Sequence, residues 1–548
     1  MQFLAVKRKA YIAEPVHFRF PHPGWVWVYD ETNGQTITDS KTGYIFHTDE
    51  AKTALNAIFL PNLYCYTTLT SLRVRHDALR QPRRTARLAD RKRLLPPRRP
   101  PAIGACVKCR TWRQPEHRAA SVSGAGGNGL AAPKPKSGYF VSVSRAAPAL
   151  PAVGRPVQRP VDISQWDQVL DLIRVAPLEA VTQLGRGMPD VTSPTLKPLM
   201  RALSQLSRHQ DMPGLYYDNI YGVRRLREQI ARLMLDSGCN LTANDLIVTN
   251  GCHEALSASV RAICSPGDIV AVDSPSFFGA MQTLKGVGMK ALEIPTDPLT
   301  GISLEALELA LEQWPIKVIQ LTPNCNNPLG YVMPEARKRA LLTLAQRFDV
   351  AIIEDDVYGD LAYNYPRPRT IKSFDEDGRV LLCSSFSKTL APGLRIGWVA
   401  PGRYLEQVLH MKYIGTGSTA PQPQLAIADF IEGGHYEPHV RRMRTQYQRS
   451  RDQMIDWVTR YFPEGTRASR PQGGFMLWVE LAEGFDTLRL NRALLGKGVQ
   501  IAVGSIFSAS GKYRNCMRMN FAAKPSREIE NAVRIVGETI ALLNAQTD

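Results

Sequence analysis

The chain lacks any stretch approaching the roughly 18 consecutive apolar residues of a membrane span, so no membrane partner is expected. Met1 to Phe20 mixes charge throughout and has no apolar core, so it does not read as a secretory leader. Cysteine is sparse: 9 residues scattered over 548 exclude a disulfide framework and fit a reducing, cytoplasmic setting. Cys106-Val107-Lys108-Cys109 has no second pair at finger spacing, so no metal site is expected. Apolar periodicity is missing from about residue 65 to 130, where Arg, Pro and Gly dominate. Composition alone reads that stretch as disordered or as a basic tail.

Charge of one sign is in excess, but only locally. Ser71–Arg118 holds 15 Lys/Arg against 3 Asp/Glu, so +12 of the formal +18 sits in one segment and +6 is left for the rest. Outside it the chain reads as an ordinary soluble enzyme, with 44% apolar and 22% charged residues overall. The length allows about three units. Residues 1–64 are mixed and aromatic-rich, with a strand-like run at Gly24–Tyr29 and no motif. Ala147–Pro160 is Pro-rich. Past about 160, amphipathic patterns alternate with short apolar runs at Asp245–Val248, Ile269–Val272, Val318–Leu321, Ala351–Ile353 and Val380–Leu382. That alternation predicts a mainly parallel sheet with helices on both faces, and ligands in such sheets lie outside the carboxyl ends of the strands.

The residues that follow those runs are chemical. After Val380–Leu382 comes Ser384-Ser385-Phe386-Ser387-Lys388, with Arg395 seven residues on. A lysine beside hydroxyls and a second cation suits Schiff-base chemistry, because burial and positive neighbours favour the free amine. Ser385 and Arg395 suit a phosphate. Taken alone, Lys388 is equally a surface lysine after a strand. After Ala351–Ile353 comes Glu354-Asp355-Asp356-Val357-Tyr358, which is a carboxylate partner for a buried cation or simply a solvated turn. Pro323-Asn324-Cys325-Asn326-Asn327-Pro328 is a turn that carries a side-chain amide donor. Val248-Thr249-Asn250-Gly251-Cys252-His253 reads as strand, glycine turn and helix start. It is either a plain βα turn or a site where free N–H groups hold a phosphate.

In this order and spacing the motifs resemble the class I/II aminotransferase superfamily, and most closely the aminotransferase-like domain of MocR/GntR-type regulators, over about residues 175–545. The resemblance implies fold-type I: a mainly parallel, seven-stranded-type sheet with helices on both faces plus a smaller α+β domain. The domain would span 173–548, its large part about 215–420. The implied cofactor is pyridoxal 5′-phosphate (PLP), with Lys388 as the Schiff-base lysine. Asp355, 33 residues before it, is implied at the pyridine nitrogen. Tyr358 and Asn327 would contact the ring oxygen, and Phe277 would stack on the ring. Gly251, Cys252 and His253, with Ser385, Ser387 and Arg395, would surround the phosphate. Tyr217 is implied to reach the phosphate of a neighbouring subunit, hence a homodimer with shared sites. Arg518 would clamp a substrate carboxylate, and Gly187 would line the substrate pocket beside Asn327. The catalytic set implied is Lys388, Asp355 and Tyr358, with Lys388 as general base at the α-carbon.

Regulators of this type carry a winged helix-turn-helix ahead of that domain, and its wing ends in a run like Ser137-Gly138-Tyr139-Phe140-Val141. Here 132–143 resembles the wing, and 144–172 reads as a Pro-rich linker. The rest of the basic segment 65–143 has the right length for the helix-turn-helix but the wrong residues. A shifted reading frame over 65–130 accounts for this. Glu116–Leu130, back-translated with permissible codons and moved by one base, can read Asn-Thr-Val-Leu-Gln-Ala-Tyr-Arg-Glu-Leu-Glu-Ala-Thr-Gly-Leu, which resembles the recognition helix and its successor. Without that helix the +12 segment would bind DNA only weakly and in a salt-sensitive way. Three functions follow as expectations. The first is a PLP-dependent regulator that binds amino acids as an external aldimine. The second is a working aminotransferase, transferring an amino group between an amino acid and a 2-oxo acid. The third is a basic DNA-associated protein using the fold as a dimer scaffold.

Overall fold

The computed structural model describes residues 147–174, 181–208 and 216–546 in full, and the backbone of five short strands between Trp25 and Val141. The whole of the basic stretch from 65 to 130, with Cys106 and Cys109, lies outside the described residues. The chain divides into two compact units, Met1–Pro101 and Ala102–Asp548. In the first, β1 (Trp25–Asp30), β2 (Gly34–Asp39) and β3 (Ile45–His47) form an antiparallel sheet. In the second, β4 (Ala131–Lys134) and β5 (Gly138–Val141) form an antiparallel hairpin. After it, α1 (Trp166–Arg174) and β6 (Thr182–Gln183) lead into the main body.

That body is built on an eight-stranded sheet. Its members are β7 (Ile247–Thr249), β8 (Ile269–Ser274), β9 (Lys290–Asp297), β10 (Gly301–Ile302), β11 (Ile316–Leu321), β12 (Ala351–Asp355), β13 (Val380–Ser385) and β14 (Gly397–Ala400). The order is β10-β9-β8-β11-β12-β13-β14-β7. The central strands run parallel, β14 runs against its neighbours, and the two-residue β10 is an antiparallel edge. The expected mainly parallel sheet is thus present, with the short edge strand as an eighth member.

The strands are Val/Ile-rich and buried on both faces, as parallel strands covered by helices must be. Side chains alternate between two separate cores. Val270 and Val272 join one with the helix Cys252–Ile263. Ile269 and Ala271 join the other with helices Leu304–Gln313 and Glu335–Arg347. A second, four-stranded sheet has the order β15-β16-β19-β18, from β15 (Arg467–Ala468), β16 (Met476–Glu480), β18 (Ala502–Val503) and β19 (Cys516–Asn520). Between them in sequence, β17 (Val499–Gln500) pairs in parallel with β6 as a separate two-stranded sheet. Among the described residues, no helix is long and apolar enough to cross a membrane.

Candidate PLP site

The C-terminal ends of β7, β8, β11, β12 and β13 each deliver one functional residue. After β7 the chain turns at Gly251 (φ 84) and begins the helix Cys252–Ile263. A Cβ there would lie 2.4 Å from the Arg395 guanidinium, so only glycine admits the arginine over the helix N-terminus. Arg395 is itself left-handed (φ 55) and donates to the Asn250 carbonyl (2.9 Å). Free N–H groups at a helix start and a planar cation side by side form an anion cradle.

Glu354, Asp355 and Asp356 show how one strand end sorts three carboxylates. Successive residues face opposite sides. Glu354 turns away and accepts the Ile371 and Lys372 backbone N–H groups (2.8 and 2.9 Å). Asp356 pairs with buried Arg367 and accepts from Asn324 Nδ2 (2.8 Å). Asp355 faces the site, where it accepts from the Val357 N–H (3.2 Å) and the Cys252 thiol (3.6 Å). Burial raises its pKa to about 6. The Cys252 side chain is therefore directed at this carboxylate, and only its backbone is available to the phosphate cradle.

Lys388 follows β13. Its Nζ donates to the Gly187 carbonyl (2.7 Å), and desolvation, then Arg518, lowers its pKa to about 8. Ser385 Oγ meets Ser387 Oγ (2.7 Å) and the Ile396 carbonyl (2.9 Å), and accepts from the Ser387 N–H (3.0 Å), which holds the turn before the lysine. Phe277, after β8, lies edge-on to His253 with ring centroids 5.7 Å apart. Tyr358 is buried edge-on against Phe475 (5.5 Å), and desolvation raises its hydroxyl pKa.

Arg518 closes the site from β19. It is buried. Nη1 donates to Asn327 Oδ1 (3.0 Å) and Nη2 to the Gly185 carbonyl (2.7 Å), while Nε has no partner among the described residues. Phe278 and Phe507 lie beneath the guanidinium at 5.6 and 5.0 Å. Burial lowers its pKa to about 10, so the group remains a cation, without a carboxylate partner among the described residues. A buried cation that lacks an anionic partner is a receptor for one.

The structure thus brings Gly187, Asn327, Asp355, Lys388 and Arg518 into one site, with Gly251, His253, Phe277 and Arg395 beside it. Tyr217 is set apart: its side chain is 96% exposed in the single chain. The sequence reading missed Asn520, whose side chain donates to the Arg186 and Met188 carbonyls (2.6 and 2.8 Å) and so pins both sides of Gly187. It also missed Asp273, which accepts from Asn326 Nδ2 (2.7 Å) and anchors the loop that carries Asn327. Asn520 was findable, because Arg518-x-Asn520 on a strand puts both side chains on one face.

The residues present fit PLP. A glycine-backed cradle could take the phosphate, a buried carboxylate could meet a ring nitrogen, an amine has its pKa lowered to about 8, and a buried guanidinium without a carboxylate partner among the described residues could take that of a ligand. The family model for aminotransferase class I and II matches residues 179–536. The HTH-type transcriptional regulator YjiR of Escherichia coli is 56% identical over 75% of this chain and 87% of its own length. Among solved structures, a multiple substrate aminotransferase from Thermococcus profundus matches with TM-score 0.64 and 29% identity, covering 70% of this chain and 96% of its own. The Pyrococcus horikoshii kynurenine aminotransferase, in complex with PMP, matches with TM-score 0.63 and 30% identity, covering 70% and 95%. The fold, the cofactor and these relatives agree: the chain belongs to the class I and II aminotransferase family, among the HTH-type transcriptional regulators that carry an aminotransferase-like, PLP-binding domain.

Proposed function

We propose that this chain holds PLP on Lys388 and uses the site to bind an amino acid as the effector of a transcriptional regulator. The observation that carries the reading is the buried Arg518, which has no carboxylate partner among the described residues and lies close enough to the Lys388 amine to help lower its pKa. PLP, when bound, supplies an electron sink for the bonds at an amino acid's α-carbon.

The chain's own groups do the rest. Gly251, the backbone of Cys252 and His253, and Arg395, with the Ser385–Ser387 turn, would hold the phosphate. Asp355 would hold a proton at the ring nitrogen, and its burial favours a partner that is itself cationic. Phe277 would stack on the ring, and Tyr358 and Asn327 would meet its oxygen. Arg518 binds the carboxylate of the incoming amino acid and Asn327 orients it. Lys388, with a pKa of about 8, can take or return a proton at the α-carbon.

The same lysine supports a second reading, a working aminotransferase, because every group needed for proton transfer is retained. A half-transamination assay over a panel of amino acids separates the two. Rapid conversion of bound PLP to its amine form supports the enzyme. Slow or absent conversion, with ligand-dependent binding to operator DNA, supports the regulator. A purified protein with no PLP absorbance band contradicts both and leaves the basic scaffold.

A homodimer with shared sites belongs to the proposal, supported by two adjacent exposed aromatics, Tyr216 (77%) and Tyr217 (96%). A cytoplasmic location is part of it too. The segment 65–143 is proposed as the remnant of a winged helix-turn-helix. Translating the gene in its other two frames over 65–130 should show two amphipathic helices, and neither frame doing so would end that idea.

A further inference from the structure

The Pro-rich stretch before the aminotransferase-like domain is bound to it along residues 149–161. At its start the Ala149 carbonyl accepts from the Ala468 N–H (2.8 Å), beside β15. The Ala152 N–H donates to Glu480 Oε2 (2.7 Å), and Lys512 Nζ donates to the Arg155 carbonyl. At its end Val161 exchanges two backbone hydrogen bonds with Ala291 of β9 (2.9 and 3.1 Å). The stretch is therefore a strap that begins on the four-stranded sheet and ends on the eight-stranded one. Pro151 and Pro156 within it are buried, and their fixed φ keeps the strap extended at little entropic cost.

Tyr513 lies under its middle. Its hydroxyl shares a hydrogen bond with Ser274 Oγ (2.8 Å). A Cβ on Gly154 would stand 2.1 Å from that hydroxyl, so the strap backbone passes directly against it. Tyr513 is left-handed (φ 60), a conformation that a non-glycine residue keeps only where its surroundings enforce it. Ser274 ends β8, three residues before Phe277. The Ser276 N–H, between them, donates to the Phe507 carbonyl (2.9 Å), and the Phe507 ring lies 5.0 Å beneath Arg518. The Tyr513 ring is edge-on to Trp478 (5.9 Å), which is edge-on to Phe507 (5.2 Å). A cavity of about 100 Å³ beside Val153, Pro275, Trp478 and Tyr513 leaves this group room to shift.

We propose that Tyr513 is a positioning residue that couples the strap to Phe277 on one side of the site and to Arg518 on the other, so that PLP in the site tightens the strap and a loosened strap weakens PLP. This rests on the reading that Lys388 carries PLP. Coupling of this kind is reciprocal. The strap is the stretch by which the chain continues toward residues 1–146.

Hydrogen exchange on the full chain, PLP-free and PLP-loaded, tests it. Loading should slow exchange at the Ala152 and Val161 amides at least about fivefold. Tyr513→Phe should bind PLP about fivefold more weakly, the loss of one hydrogen bond, and abolish the slowing even when saturated. Glu480→Ala alters a residue about 13 Å along β16 from Met476, whose methyl lies beside Gly187 of the site. It should also weaken PLP severalfold, through the strap. A wild-type strap indifferent to loading, unchanged slowing in Tyr513→Phe, or unchanged PLP affinity in Glu480→Ala overturns the coupling while leaving PLP on Lys388. Absence of the covalent absorbance band on loading overturns both.

Discussion

The two walls of the site are built in different ways. On the ring side, Gly251, Phe277, Asn327, Asp355 and Lys388 hang from the ends of strands of one sheet, and each is fixed by the strand before it. On the carboxylate side, Arg518 and Asn520 come from a separate sheet and meet a backbone run, Leu184–Met188, that lies more than 300 residues earlier. The first wall is rigid because it is one sheet. The second exists only while two parts of the chain stay docked, so a ligand that fills it can change how they sit. A sensor and an enzyme would share the first wall and differ in how the second one moves.

The largest effect that would sharpen this contrast is at Lys388. Lys388→Ala should eliminate the covalent absorbance band and slow any proton transfer by about 10²- to 10⁴-fold, read by spectrum and single turnover. Arg518→Ala should leave that band intact and weaken amino-acid binding by roughly 30- to 1,000-fold, since it removes one partner of a buried charge pair. If it also abolishes the band, the two walls are not separable. Asn520→Ala should weaken amino-acid binding by about tenfold while PLP affinity holds, because it frees the carbonyls flanking Gly187 without touching the ring side. The smallest effect concerns pH. The nucleophile is the unprotonated amine, so uptake of PLP by the cofactor-free chain should rise with pH through about 8 and then level off. A rise that continues to about 10.4 would mean an ordinary exposed lysine.

The ring-side wall was legible in the sequence because each of its residues follows a short apolar run at a fixed offset. Asp355 could be chosen over its neighbours only through the resemblance. The structure adds the reason, since Glu354 and Asp356 are consumed by Ile371, Lys372 and Arg367. The carboxylate wall was half legible. Arg518 and Gly187 were found through family order; Asn520 could have been placed on the face of Arg518 by its spacing, but its backbone partners and the loop partner of Asp273 lie at a proximity no window of sequence contains. Cys252 was read as part of the phosphate turn. Its backbone stands there, but its thiol points to Asp355, a direction that depends on how the helix Cys252–Ile263 packs against β12. The Pro-rich stretch read as a linker carries no periodicity, so its bonds to Glu480 and Ala291 were invisible before the two sheets were in place.

Borohydride reduction of the purified protein, followed by peptide mapping, tests the central claim most directly. The account predicts a pyridoxyl group on the peptide that contains Lys388, and none after Lys388→Ala. A pyridoxyl group on another lysine, or unchanged labelling in Lys388→Ala, would contradict it.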